Sequence, residues 1–122
     1  MNPDAVGGYF IVNGQPLPRV LMAKMKQGPA AQAVFKASCP TGWSEAFTFN
    51  IAVNGKLDYT LKSGTLTIII PGELVKAGRQ FALIGLDKNG KAVTFRDIDT
   101  DPNTLTAIIN IEAYAFDLIY TN

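Results

Sequence analysis

At 122 residues the chain is long enough for one hydrophobic core and too short for two. Its composition, 48% hydrophobic and 17% charged against a usual ~25%, is that of a globular, β-rich domain and not of a disordered chain. Eleven basic and ten acidic residues give a net charge of +1 with no block of like charge, which argues against a nucleic-acid surface, and the absence of histidine removes His-based acid–base catalysis, Ser-His-Asp and Cys-His nucleophiles, and nearly all zinc and copper sites.

Residues 1–8 are polar and glycine-containing, and read as a loose lead-in to a single domain over 9–122. The start, Met1-Asn2-Pro3-Asp4, has no basic stretch followed by an apolar one, so it is not a signal peptide. Either the protein works without export or the chain is a mature piece of an exported one. The longest strongly apolar run, 66–71, is far too short to span a bilayer, so no membrane insertion is expected.

Three Asn-Gly pairs punctuate the chain: Asn13-Gly14, Asn54-Gly55 and Asn89-Gly90. A type I′ turn needs positive φ at both central residues, which Gly and Asn tolerate best, so each pair signals antiparallel strands. Residues 9–12 read as a short strand. Pro16 and Pro18 follow the first pair, and Asn13-Gly14 is therefore expected to begin a loop at a sheet edge. Residues 19–27 admit helix or strand; a strand is favoured because Leu21, Ala23 and Met25 make a clean apolar face and Gly28-Pro29 ends the element early. Residues 33–38 read as the next strand. Residues 45–53 alternate, with Phe47, Phe49, Ile51 and Val53 on one side, and Leu57, Tyr59 and Leu61 continue the alternation after Asn54-Gly55. Residues 65–70 form a central strand with Leu66, Ile68 and Ile70 on one face. Residues 72–77 make one short helical turn crossing between sheets, with Leu74 plugging one end of the core. Strands at 81–86 and 92–95 flank Asn89-Gly90. After the polar loop 97–104 come two strands, about 105–111 and 115–120, or one long bent one. The sum is an all-β, antiparallel β-sandwich of eight or nine strands.

The alternating Asp97-x-Asp99-x-Asp101 is the candidate metal site, since calcium needs several oxygen ligands. An EF-hand would require Gly and Glu where Pro102 and Ile108 stand. The competing account is a turn whose Asp side chains bond nearby amides. Calcium is the one cofactor weighed; no other is implied. Asp87-Lys88-Asn89-Gly90 reads as a plain hairpin tip. Glu45, Asp58, Glu73, Glu112 and Asp117 could serve a carboxylate-only glycoside hydrolase only if two of them paired, and exposed surface charge is the expected role. The lone Cys39 cannot form an intramolecular disulfide, has no histidine to activate it, and reads as a small buried apolar residue. Trp43, in the Gly-flanked turn Thr41-Gly42-Trp43-Ser44-Glu45, is the candidate binding residue, with Tyr59 and Tyr9 as further aromatic area; the alternative is that Trp43 caps the end of the core.

The segment IPGELVKAGRQFALIGLDKNGKAVTF runs strand, Pro, short turn, Ala-Gly, strand, Asp-x-Asn-Gly, strand. It resembles immunoglobulin-like or fibronectin type III-like modules of bacterial surface proteins and phage tail or baseplate proteins, over about 65–95. The Cys…Trp…Cys spacing of antibody domains is absent. The resemblance implies a spacer, adhesion or attachment module at a cell surface or in a virion, with a protein or glycan partner. The expected function is therefore a non-catalytic binding or assembly module; the alternative is a carbohydrate-binding module using Trp43 and the tyrosines. The run 108–120 is apolar enough that an exposed edge strand there would seek a partner, which leaves self-association open.

Overall fold

The computed structural model describes residues 5–16, 20–53, 56–57 and 64–122. Two antiparallel sheets pack face to face. In chain order the strands are β1 (Ala5–Val6), β2 (Gly8–Val12), β3 (Gln15–Pro16), β4 (Val20–Lys24), β5 (Trp43–Val53), β6 (Lys56–Leu57), β7 (Gly64–Ile69), β8 (Phe81–Asp87), β9 (Ala92–Arg96), β10 (Thr104–Ile109) and β11 (Ala113–Thr121). The larger sheet has the order β1-β4-β5-β11-β8-β9, with β6 paired to β5; the smaller has β10-β7-β2-β3. This is the expected β-sandwich, and the 3-10 turn Gly72–Leu74 carries the chain from the small sheet to the large one as expected. The segment read as a lead-in contributes β1, paired to β4, and the first residue of β2.

The space between the sheets is filled by inward residues of both. Leu66, Ile68, Leu105, Ala107 and Phe10 come from the small sheet; Phe49, Ile51, Leu83, Phe95, Phe116 and Leu118 come from the large one. Phe49 and Phe116 stack at 5.5 Å between ring centroids. Gly85 has no side chain because there is no room for one: a Cβ there would lie 2.6 Å from the Phe95 ring. Val20–Lys24 is a strand, as favoured within 19–27, but its core-facing residue is Met22, while Met25, expected on the apolar face, is 48% exposed; in 45–53, Phe47, Phe49 and Ile51 face or pack against the core as read.

Two further expectations need correction. Residues 33–38 are not a strand but the end of a helix, α1 (Pro29–Ser38). Pro29, read as a terminator, stands in the first turn, where its missing N–H costs nothing, and the four alanines, Gln32 and Lys36 of PAAQAVFKAS are good helix formers. Asn13-Gly14 is a tight hairpin and not an edge loop: Val12 pairs with Gln15, and Asn13 (φ 53°) and Gly14 (φ 79°) both have the positive φ a type I′ turn requires. Pro16 is tolerated because β3 is the outermost strand of its sheet. Of the apolar run 108–120, β11 lies between β5 and β8, while Ile108 and Ile109 end β10, the outermost strand of the other sheet, with Ile108 exposed. Asn89-Gly90 joins β8 to β9 through a longer loop in which Asp87 Oδ1 accepts from the Asn89 and Lys91 amides. Val53 pairs with Lys56 as the Asn54-Gly55 reading requires; the turn itself, like Tyr59 and Leu61, lies outside the described residues.

The helix adds a third layer. Its Phe35 is wholly buried on the outer face of the large sheet among Ala82, Ile84, Leu86, Ala115 and Ile119. This is why β8 is buried along both faces. Replacing Phe35 by Ala removes the main anchor of α1 and is expected to cost about 3–5 kcal/mol. Urea denaturation reads the loss, and faster labelling of Cys39, which stands at the helix C-cap, reports release of the helix.

Candidate functional site

A cleft of about 580 Å³ opens on the outer face of the large sheet, beyond the end of α1. Its floor follows from strand register. Arg96 of β9 pairs with Ala82 of β8, Ala82 with Ile119 of β11, and Ile119 with Glu45 of β5. The small Ala82 between longer neighbours makes the depression. Trp43, the first residue of β5, closes one side; Arg79 and Gln80, just before β8, and the loop after β9 close the others.

The loop is built by its aspartates. Asp97 Oδ1 accepts from the Asp99 and Thr106 amides at 3.0 and 3.1 Å. Asp99 Oδ1 accepts from the Asp101 amide and Asp101 Oδ1 from that of Asn103. Asp99 Oδ2 accepts from the hydroxyls of Thr104 and Thr106, each at 2.8 Å. The chain is thereby stapled to β10. Partial burial raises the Asp97 pKa above the ordinary carboxylate value, against the lowering effect of its two amide donors. This is the turn geometry weighed against a calcium site. Among the described residues no group of three or more acidic or thiol side chains is arranged to hold a metal ion.

Arg79 is held as firmly. One guanidinium nitrogen donates to the Leu74 carbonyl at 3.0 Å, and the group lies 4.5 Å from the centre of the Tyr120 ring. Its Nε is buried without a hydrogen-bond partner.

Of the residues singled out in the sequence, the structure brings together Trp43, Asp97, Asp99 and Asp101, which all line this cleft. Trp43 begins a strand and is not in the turn before it; it packs against the Phe35 cluster and lines the cleft, so its two readings are not exclusive. Tyr9 does not join it. It stands 48% exposed on β2 in the small sheet, and Tyr59 lies outside the described residues. Arg79, Gln80 and Arg96 were not marked by the sequence. The Asn89-Gly90 hairpin held the one available signal, since its register sets Arg96 opposite Ala82.

A second polar feature lies under α1. Asp117 of β11, read as surface charge, is fully buried, and neither carboxylate oxygen has a hydrogen-bond partner. Burial first, and the Glu45 carboxyl second, push its pKa from 3.8 to about 9, so the fold holds it protonated at neutral pH. Burial, Glu45 and Asp117 in turn raise the Cys39 thiol. Neither Asp117 nor Glu45 lines the cleft. Of the other carboxylates, Glu73 is exposed, Glu112 pairs with Lys88 at 3.1 Å, and Asp58 lies outside the described residues.

No family model, curated protein or solved structure matches the chain.

Two outcomes test these assignments. The folded state binds a proton at Asp117 that the unfolded state releases above pH 3.8, so this group makes stability fall as pH rises from there to about 9, by at most roughly 1.4 kcal/mol per pH unit. Asp117→Asn flattens that slope, as melting temperatures across the range will show. In the loop, Asp99→Ala removes the acceptor of two threonine hydroxyls and an amide and is expected to destabilise by about 1–3 kcal/mol with or without calcium. A melting temperature raised by calcium in the native chain and not in Asp99→Ala would instead assign a metal role to the loop.

Proposed function

We propose that the protein is a non-catalytic binding module whose ligand site is the cleft between Trp43, Arg79, Arg96 and the 97–102 loop. One observation carries this reading: four strands and three loops, far apart in sequence, converge on a concave surface that joins an aromatic wall to rigidly held polar groups. Its volume of about 580 Å³ falls within the ~300–1,000 Å³ range of small-ligand sites. Its groups suit recognition better than reaction. The aspartates are occupied as acceptors within their own loop, and the one carboxyl with a strongly raised pKa, Asp117, stands outside the cleft. The site lies on the outer face of the large sheet, and the reading is of an attachment or adhesion unit of a bacterial surface protein or phage particle. The immunoglobulin-like or fibronectin-like resemblance is part of that proposal and rests on architecture.

The experiment is a screen of small polar and aromatic fragments followed by backbone amide NMR shifts. Shifts are expected to cluster on 79–82, 94–102 and Trp43. Fragments that bind elsewhere, or nowhere, refute the cleft as the ligand site.

A further inference from the structure

Resting on the reading of the cleft as a binding site, we propose that its ligand is a carbohydrate, an oligosaccharide segment laid against Trp43 with its hydroxyls read by Arg96, Arg79, Gln80 and the Asp loop. The argument starts from what the cleft repels. Its rim carries two guanidinium groups and three carboxylates. Mixed signs so close together, with a net of one negative charge, give no pull on a polyanion, so nucleic acid and other polyphosphates are poorly matched, and only a weak pull on a simple cation. The ligand that fits such a rim is neutral overall and rich in groups that both donate and accept hydrogen bonds.

A sugar ring meets both demands. A carboxylate accepts from hydroxyls, a guanidinium donates to them in a planar fork, and adjacent hydroxyls on a ring can satisfy either. The apolar part of the cleft meets the rest. Trp43 rises beside Ala82 and Ile119, and the C–H face of a pyranose is flat, weakly apolar and suited to an indole face. A lipid or an apolar peptide would instead leave the charged rim desolvated and unpaired.

Rigidity supports the same class. Sugar–protein hydrogen bonds replace equally good bonds to water, so net affinity depends on groups already in place. Arg79 is fixed by the Leu74 carbonyl and the Tyr120 ring, and Asp97, Asp99 and Asp101 by the amides and hydroxyls they accept from. The exposed side chains Arg96, Gln80 and Asp101 complete the rim.

Trp43 is the only tryptophan of the chain, so its fluorescence reports directly on the cleft. The test is titration of the intact protein with a panel of cello-, xylo-, manno-, galacto- and chito-oligosaccharides up to about 10 mM, read by that fluorescence and by amide NMR. At least one series is expected to change the emission and to shift amides of 79–82 and 94–102, with affinity rising with chain length. Arg96→Ala, at an exposed position, keeps the fold and is expected to weaken binding tenfold or more; Trp43→Ala abolishes it. Because Trp43 also packs on the Phe35 cluster, Arg96→Ala carries the test if Trp43→Ala unfolds. If non-sugar fragments bind the cleft and no oligosaccharide does, the carbohydrate assignment falls while the binding site stands. If neither binds, both fall.

Discussion

The large sheet has to be covered on both faces, and everything else in the molecule is arranged around that requirement. Its inner face is closed by the small sheet through Phe10, Leu66, Ile68 and Leu105. Its outer face carries Ala82, Ile84, Leu86, Ala115 and Ile119, too much apolar surface to leave in water, and Phe35 of α1 closes it. A helix of ten residues spans only about 15 Å, less than the sheet offers. Past the helix, Ala82 and Ile119, themselves buried in the Phe35 cluster, form the floor of a cleft whose sides are Trp43, Arg79, Arg96 and the 97–102 loop. The cleft thus lies beside the third layer, with the small Ala82 set in register between Arg96 and Ile119.

The same covering layer explains the burial of Asp117. Its neighbours in the sheet are Thr48 on one side and Ile84 on the other, and with α1 in place water does not reach it. A charged carboxylate without partners in such a place would cost far more than a neutral one, so the proton stays. Glu45 beside it acts in the same direction, since two like charges resist forming together. Nearby, the outer face of β5 is polar again at Asn50, which accepts a hydrogen bond from Gln27 at 2.5 Å. Gln27, just before α1, thus ties the chain to β5 through neutral polar groups, while the contact of α1 with β8 is apolar.

How much of this could be read from the sequence depended on whether the signal was local. Period-two alternation in 45–53 and 65–70 placed Phe49, Ile51, Leu66 and Ile68 in the core, because one face of those strands meets the other sheet and the other does not. The turn chemistry of Asn13-Gly14 was right at the level of the pair and was wrongly discounted for Pro16, since whether a strand is an edge cannot be seen locally. The helix was missed for a similar reason. Its amphipathic face is only one large residue wide, and Phe35 has a partner solely because the outer face of the large sheet is apolar. Asp117 looked like surface charge because nothing in its flanking residues announces a helix overhead. At the site, Trp43 and the Asp loop were legible as unusual residues, but their meeting depends on the β5-β11-β8-β9 order, as does the recruitment of Arg79 and Arg96.

That division bears on the kind of function the fold can support. A catalytic site needs a group free to accept or give a proton at the point where the substrate sits. Here the carboxylates that face the cleft are used as struts, each tied to an amide or hydroxyl of its own loop, and the carboxyl with the altered proton affinity is sealed beneath α1. What the cleft offers instead is shape, an aromatic wall and fixed donors and acceptors at modest depth. On the function proposed above, those properties would serve recognition, where the requirement is that groups be in place before the ligand arrives and remain unchanged after it leaves.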